Sequence, residues 1–295
     1  MTQTALILGA SGKIGRHFTA AFRATGWQTR AYARGTDMNA AALGCDVIVN
    51  GMNPPMYHDW NTILPAITTQ VLAAAKTSGA TILFPGNVYV FGAQPGPWSE
   101  ATPHRPCSRK GTIRAEVEVR YRAAAADGVQ TIILRAGDFI QIEPGDTMMD
   151  VGYLRKFTKG VVTSMGDPDA ARAHAFLPDM ARAGVMLADR RASLPAFCDV
   201  PFAGYNFSTR DLAERLSRLS GRSLSVRGFP WWLMAVASPV WELARELKEM
   251  RYLYDTPHRM SAERLAALLP DYRDTPLDEV LAQVLAHRQP SAVAA

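Results

Sequence analysis

The first half of the chain alternates short apolar runs with stretches of helical periodicity, the pattern of β-α-β units feeding a parallel sheet. Thr4-Ala-Leu-Ile-Leu8 predicts a buried strand. A glycine-rich turn follows, then a helix from about Lys13 to Thr25 with Gly26 as its C-terminal stop. Gln28 to Ala33 predicts the second strand. Asp46 to Val49 predicts the third, a continuous apolar run suited to burial on both faces. A helix opening at Asn61 carries Ile63, Ile67, Val71 and Ala74 along one stripe, and Pro65 falls in its first turns, where a missing N–H costs least. Thr81 to Phe84 gives strand four, a Gly- and Pro-rich loop runs through Pro106, and a helix from about Lys110 to Ala126 leads to strand five at Thr131 to Leu134.

Beyond Arg135 the pattern is less regular. Helices are expected at Pro178–Ala188, at Trp231–Tyr254 and at Asp278–His287. A strand at Asn206 to Thr209 passes into a capped helix ending near Gly221. The small-residue tail after Gln289 is expected to fray. The predicted architecture is an α/β, doubly wound parallel sheet of Rossmann type with a smaller C-terminal substrate lobe. Residues 1–190 would form the dinucleotide-binding domain, with 140–170 partly contributing to the lobe, and 191–290 would form the lobe itself.

Composition changes this picture little. The chain has 295 residues, 48% hydrophobic and 20% charged, as expected of a globular protein. Its three cysteines, Cys45, Cys107 and Cys198, are too scattered for a disulfide framework or a zinc site. With no signal-peptide pattern and no apolar stretch of membrane-spanning length, a cytoplasmic protein is expected. The net charge of +5 is spread out without an aromatic-basic stripe, so no nucleic acid partner is expected. Trp231, Trp232, Leu233, Val236, Val240 and Leu243 form an apolar helical stripe. Core packing or a homodimer interface explains it better than a membrane, because Glu242, Glu246 and Glu249 would repel anionic lipid. No metal-ligand spacing and no nucleophile elbow occurs.

The chemistry concentrates in Gly9-Ala-Ser11-Gly12-Lys13-Ile14-Gly15, a GxxGxxG turn between a strand and a helix. Gly9 permits the tight turn, Gly12 admits a pyrophosphate, and Gly15 lets helix and strand approach. The helix N-terminus supplies free N–H groups for phosphates. Strand two ends at Ala33-Arg34 with no carboxylate before Asp37, and Arg16 follows the last glycine. Two guanidinium groups suit a 2′-phosphate, so NADP is expected, with NAD possible.

With these motifs the sequence resembles an extended, atypical short-chain dehydrogenase/reductase of the NAD-dependent epimerase/dehydratase kind. Further carriers are Asp46-Val-Ile-Val-Asn-Gly51, Asn87-Val-Tyr-Val-Phe-Gly92, Leu134-Arg-Ala-Gly-Asp-Phe139 and His174-Ala-Phe-Leu-Pro-Asp-Met-Ala181. The resemblance implies that Asn50, Gly51 and Met52 line the cofactor. It also implies that the segment from Gly137 through Phe139 to Ile140 passes beside nicotinamide and substrate. His174 would border the substrate cleft, and His58, Asp59, His104 and Arg105 are weaker candidates for its rim.

The resemblance fails at the catalytic triad. The family's Tyr-x-x-x-Lys positions fall near Ser108 and Thr112, and its Ser position at Asn87. Three readings stay open. Tyr89 can act as proton donor, with Lys110 and Arg114 touching cofactor or substrate and lowering the phenol's pKa. Asn87 and a water can replace the tyrosine. Or the chain binds NADP without catalysis, as a redox sensor. The expected activity is NADP-dependent oxidoreduction of a small carbonyl or alcohol, with sugar-nucleotide epimerase or dehydratase chemistry as the alternative.

Overall fold

The computed structural model describes residues 2–288, so the expected fraying beyond Gln289 lies outside the described residues. Six parallel strands make the main sheet, in the order β2-β1-β3-β4-β5-β9. They are β1 (Thr4–Leu8), β2 (Gln28–Ala31), β3 (Val47–Asn50), β4 (Thr81–Gly86), β5 (Thr131–Arg135) and β9 (Phe197–Pro201). The order in which the strands are laid down reverses between β1 and β3, which opens a crevice at their C-terminal ends.

Alternation along each strand explains the two-sided core. Ile7, Val47, Val49, Leu83 and Ile132 face Phe18 and Phe22 of α1 (Lys13–Ala24) and the apolar side of α5 (Leu177–Asp189). Leu6, Leu8, Ile48, Ile82 and Ile133 face Trp60, Leu64 and Val71 of α3 (Trp60–Ser78) and Ile113 and Val117 of α4 (Arg109–Ala123). Each such side chain, fully buried, contributes on the order of 1.5–3 kcal/mol. Between β2 and β3 lies only the short α2 (Met38–Ala42), capped by the Asp37 carboxylate on the Asn39 N–H at 2.9 Å.

Of the small sheets, sequence periodicity anticipated only the strand near Asn206. β6 (Asp138–Ile140), β8 (Arg172–Phe176) and β10 (Tyr205–Phe207) form a three-stranded sheet, with β8 in its centre. β7 (Val161–Ser164) pairs with β11 (Ser225–Gly228). These belong to the lobe, packed with α6 (Thr209–Ser220) and α11 (Leu277–Ala286). Residue 190 is not a clean boundary: the lobe's β6 and β8 precede it, and β9, which follows it, pairs in parallel with β5. The expected helix over Trp231–Tyr254 is three: α7 (Trp231–Ala237) and α8 (Glu242–Glu249), parted at Pro239, and a short α9 (Tyr252–Asp255) after Met250. A last short helix, α10 (Glu263–Leu268), packs near β9.

Candidate active site

The glycine turn is built as its spacing predicts. Gly9 adopts φ +74°, and its N–H-bearing turn closes with the Gly12 N–H donating to the Gly9 carbonyl at 2.9 Å. A Cβ on Gly15 would overlap the Gly9 carbonyl, and one on Gly9 would lie 3.0 Å from the Gly51 carbonyl. Helix α1 and the β3 loop therefore press on the turn from two sides. Gly12 leads into α1, whose first turn has no side-chain cap and no acidic residue. That leaves amide donors and a positive dipole end exposed beside Ser11, an arrangement that fits a pyrophosphate. Ile14 packs beneath the turn. Lys13 is drawn aside: its ammonium pairs with Asp146 at 2.8 Å, leaning the loop after β6 over the helix start.

Beyond the turn a cavity of about 750 Å³ opens among Tyr32, Arg34, Thr36, Met52, Asn53 and Ile63. Its position past the end of β2 suits an adenosine. Arg34 lines it and is exposed, as is Arg16, and neither has a carboxylate partner among the described residues. Asp37 also lines the cavity, one of its oxygens accepting the Asn39 N–H at the start of α2. Asn50, Gly51 and Met52 follow β3. The buried Asn50 amide donates to the Tyr121 hydroxyl at 2.9 Å and its oxygen accepts from the Met52 N–H, so this side chain braces the loop. Met52 itself reaches the cavity. Taken together the turn, the bare helix start and the cavity fit NADP or NAD, which would supply a hydride acceptor or donor at the nicotinamide.

At the C-terminal ends of β4 and β5 lies a buried polar cluster. The Tyr89 hydroxyl meets that of Tyr57 at 3.0 Å, and Trp60 lies between ring planes on both sides, 6.3 Å from Tyr89 and 5.1 Å from Tyr57. Burial pushes the Tyr89 phenol well above its usual pKa, with Tyr57, Asp138 and Tyr254 adding to the effect. Tyr57 is raised too, chiefly by burial. The expectation that nearby cations would depress Tyr89 is thus overturned: desolvation outweighs them. Asn87 accepts the Tyr89 N–H on its side-chain oxygen at 3.1 Å, which leaves its amide N–H₂ as a donor. Arg135 fixes this loop by donating to the Asn87 carbonyl at 2.7 Å. Arg135 is itself fully buried between Glu118 and Asp199, each at 2.6 Å. His104 joins these carboxylates as a possible metal ligand set, but the guanidinium already supplies the positive charge there.

Lys110 is not in the cluster's donor set. Its ammonium is buried in ion pairs with Glu246 and with Glu249 at 2.7 Å, and lies 5.0 Å over the Tyr57 ring. Arg114, one turn on, donates to Asn53 at 2.7 Å and stacks 4.8 Å over Trp60. It braces the cavity wall rather than pointing freely at a substrate. Ser108 caps α4 through the Gly111 N–H, and Thr112 donates back to the Ser108 carbonyl, so both family triad positions serve the helix. A Cβ on Gly111 would lie 2.6 Å from the Tyr89 carbonyl, which shows how closely α4 approaches the phenol's segment.

Gly137 opens β6, where any side chain would strike the Ala173 backbone. Phe139, half-buried, packs on the α1 side of the core. His174 is buried, stacked 3.8 Å from Phe207, with Nδ1 against the Arg172 carbonyl at 2.9 Å. Because a carbonyl only accepts, Nδ1 carries the proton, and the unpartnered Nε2 is a buried acceptor. His58 meets Glu242 at 3.2 Å on the surface.

Sequence reasoning missed Tyr57, Asp138, Arg172 and Tyr254. Tyr57 sits in a bend where Met56, Tyr57 and Asp59 all have positive φ, a conformation no periodicity signals. Asp138 pairs with Arg172 at 2.7 Å; burial alone would raise the carboxyl's pKa, but Arg172 pulls it below the usual range. An aspartate inside the apolar segment after β5 was the available clue, since it demands a buried cation.

The sequence matches no family model and no curated protein. Its structure is similar over its whole length to several solved ones. UDP-glucose 4-epimerase from Brucella ovis in complex with NAD matches at TM-score 0.72 and 16% identity, covering 97% of this chain and 98% of that one. At that identity the likeness is one of fold. RMD from Pseudomonas aeruginosa complexed with NADPH matches at TM-score 0.72 and 16% identity, covering 97% of each chain. UDP-N-acetylglucosamine 4-epimerase from Bacillus cereus matches at TM-score 0.72 and 12% identity, covering 98% of this chain and 100% of that one. Within that shared fold this chain carries the glycine turn and the Tyr57–Tyr89 pair.

Proposed function

We propose that the chain is an NADP-dependent enzyme of the epimerase/dehydratase type, acting at a carbinol or carbonyl carbon of a sugar-nucleotide-like substrate. The observation that carries this reading is the half-buried phenol pair at the sheet's C-terminal edge, together with a glycine turn fit for a dinucleotide. The substrate class shifts from the free carbonyl or alcohol expected from sequence. What supports the shift is the full-length likeness to epimerases whose names carry UDP-sugars. Exposed Arg16 and Arg34, neither held by a carboxylate among the described residues, favour NADP.

In this reading Gly9, Gly12, Gly15 and the start of α1 hold the pyrophosphate, and Arg34 and Arg16 clasp the 2′-phosphate. Tyr89 keeps its proton and donates it to the substrate oxygen as negative charge develops there. Tyr57, in hydrogen-bond contact, resupplies that proton, and the Asn87 amide adds a second donor. Lys110 keeps its partners on α8 and takes no part in the transfer.

The test is turnover of NADPH, and interconversion of products, with a panel of nucleotide sugars, aldehydes and ketones. The account expects a responsive nucleotide sugar, with Tyr89→Phe slowing it by about 100-fold or more while cofactor affinity is kept. Full activity in Tyr89→Phe would refute the donor. Tight NADPH binding with no responsive substrate would favour a non-catalytic sensor.

A further inference from the structure

The hairpin of α7 and α8 turns its carboxylates inward and its cations and largest apolar groups outward. Glu246 is only 3% exposed, gripped by Lys110 and by Arg109 at 2.6 Å. Glu249 closes on Lys110, and Glu242 faces His58 at 3.2 Å. On the other side Trp232 is 67% exposed, Val236 74% and Val240 92%, with Leu233 and Trp241 also open to solvent. Trp241, Arg245 and Lys248 follow at helical spacing on one exposed face of α8, and Arg251 lies just beyond. Trp231 anchors the base by donating its indole N–H to the Met165 carbonyl at 2.6 Å.

This arrangement reverses the reading of the apolar stripe as core. In the linear sequence the glutamates balance the arginines and lysines, and they argued against a lipid surface. Folding withdraws Glu246 and Glu249 into internal ion pairs, so solvent meets two indoles and aliphatic groups rimmed by cations. Contiguous exposed patches of this kind mark contact surfaces. Indoles beside Arg and Lys match the water–lipid boundary, with rings at headgroup level and cations against phosphates. A second copy meeting this face across a two-fold axis would set Arg245 and Lys248 near their own counterparts, with no outward carboxylate but Glu242 to offset them.

We propose that the α7–α8 hairpin docks this protein on an anionic lipid bilayer, seating Trp232, Val236, Val240 and Trp241 in the headgroup–acyl boundary with Arg245 and Lys248 on lipid phosphates. The attachment is peripheral, since among the described residues no helix is long and apolar enough to cross a membrane. The inner face of the same hairpin holds Lys110 against the Tyr57 ring, so the docked surface lies directly over the candidate site. The inference stands apart from the catalytic assignment and requires no cofactor.

The full chain is to be sedimented with vesicles of phosphatidylcholine alone and of phosphatidylcholine mixed with phosphatidylglycerol. The expected result is binding to the mixed vesicles, weakened by salt, with a blue shift of tryptophan emission. Trp232→Ser with Val240→Ser should abolish it, and Arg245→Glu with Lys248→Glu should weaken it by about tenfold or more. These positions are exposed, and circular dichroism checks that each variant folds. Absence of vesicle binding, or binding that both variants retain, would overturn the proposal. So would a lipid-free dimer that the Trp232→Ser, Val240→Ser variant dissociates, which would assign the face to a second copy.

Discussion

Burial and the Tyr57 hydroxyl keep the Tyr89 phenol protonated far beyond neutral pH, which makes it a ready donor and a poor base. Oxidation of a substrate hydroxyl needs a base at this position. Its rate should therefore climb with pH, by up to about tenfold per unit, without levelling below pH 10. A pH–rate profile of the oxidative direction checks this; a plateau near neutrality would mean another group takes the proton. Among single residues, those in the glycine turn were legible in the sequence because their constraint is local: the clash of a Gly15 Cβ with the Gly9 carbonyl is set within one turn. Tyr57 was illegible because its place depends on three consecutive unusual torsions around a double-proline bend. The cationic partners of Tyr89 were misjudged because sequence shows charge without showing desolvation.

At the level of elements, α4 and α8 are joined by the Lys110–Glu246–Glu249 ion pairs across a large sequence separation. From the sequence Lys110 reads as a cofactor or substrate contact one turn before Arg114; its glutamate partners were not legible, since the helix that carries them looked like an independent stripe. Its assignment as a latch has a distinctive consequence. Lys110→Met leaves the buried Glu246 carboxylate with Arg109 and the more distant Arg245, and should lower unfolding free energy by about 3 kcal/mol. Urea denaturation reads that loss, and amide exchange should quicken across α8. NADPH affinity should stay unchanged, whereas a cofactor-holding lysine would weaken it. The same reasoning explains why the long parallel strands and β10 were found and β6 and β8 were not. Strands of a few residues carry too little alternation to read, and their pairing is settled by partners distant in sequence, such as Asp138 with Arg172.

Across the whole molecule, two buried histidines tie stability to pH. Burial, reinforced by Arg172, lowers His174 to about 3, and burial lowers His258 to about 4. The unfolded chain protonates each near pH 6.5, while the folded chain does not until these lower values. Stability is therefore complete above about pH 6.5 and falls as pH drops through that value toward about 4 and then about 3. Each histidine contributes a slope of up to about 1.4 kcal/mol per pH unit. Urea midpoints measured from pH 7 downward should show the loss, and a flat profile would contradict the neutral stacking of His174 on Phe207 and of His258 on Trp98.

The account rests on a dinucleotide held by the glycine turn, with its 2′-phosphate between Arg16 and Arg34. Calorimetric titration of the full chain with NADPH and with NADH tests this directly. The account predicts that NADPH binds at least about tenfold tighter, and that replacing both arginines by alanine removes the difference. Equal affinity, a preference for NADH, or no binding of either would contradict it.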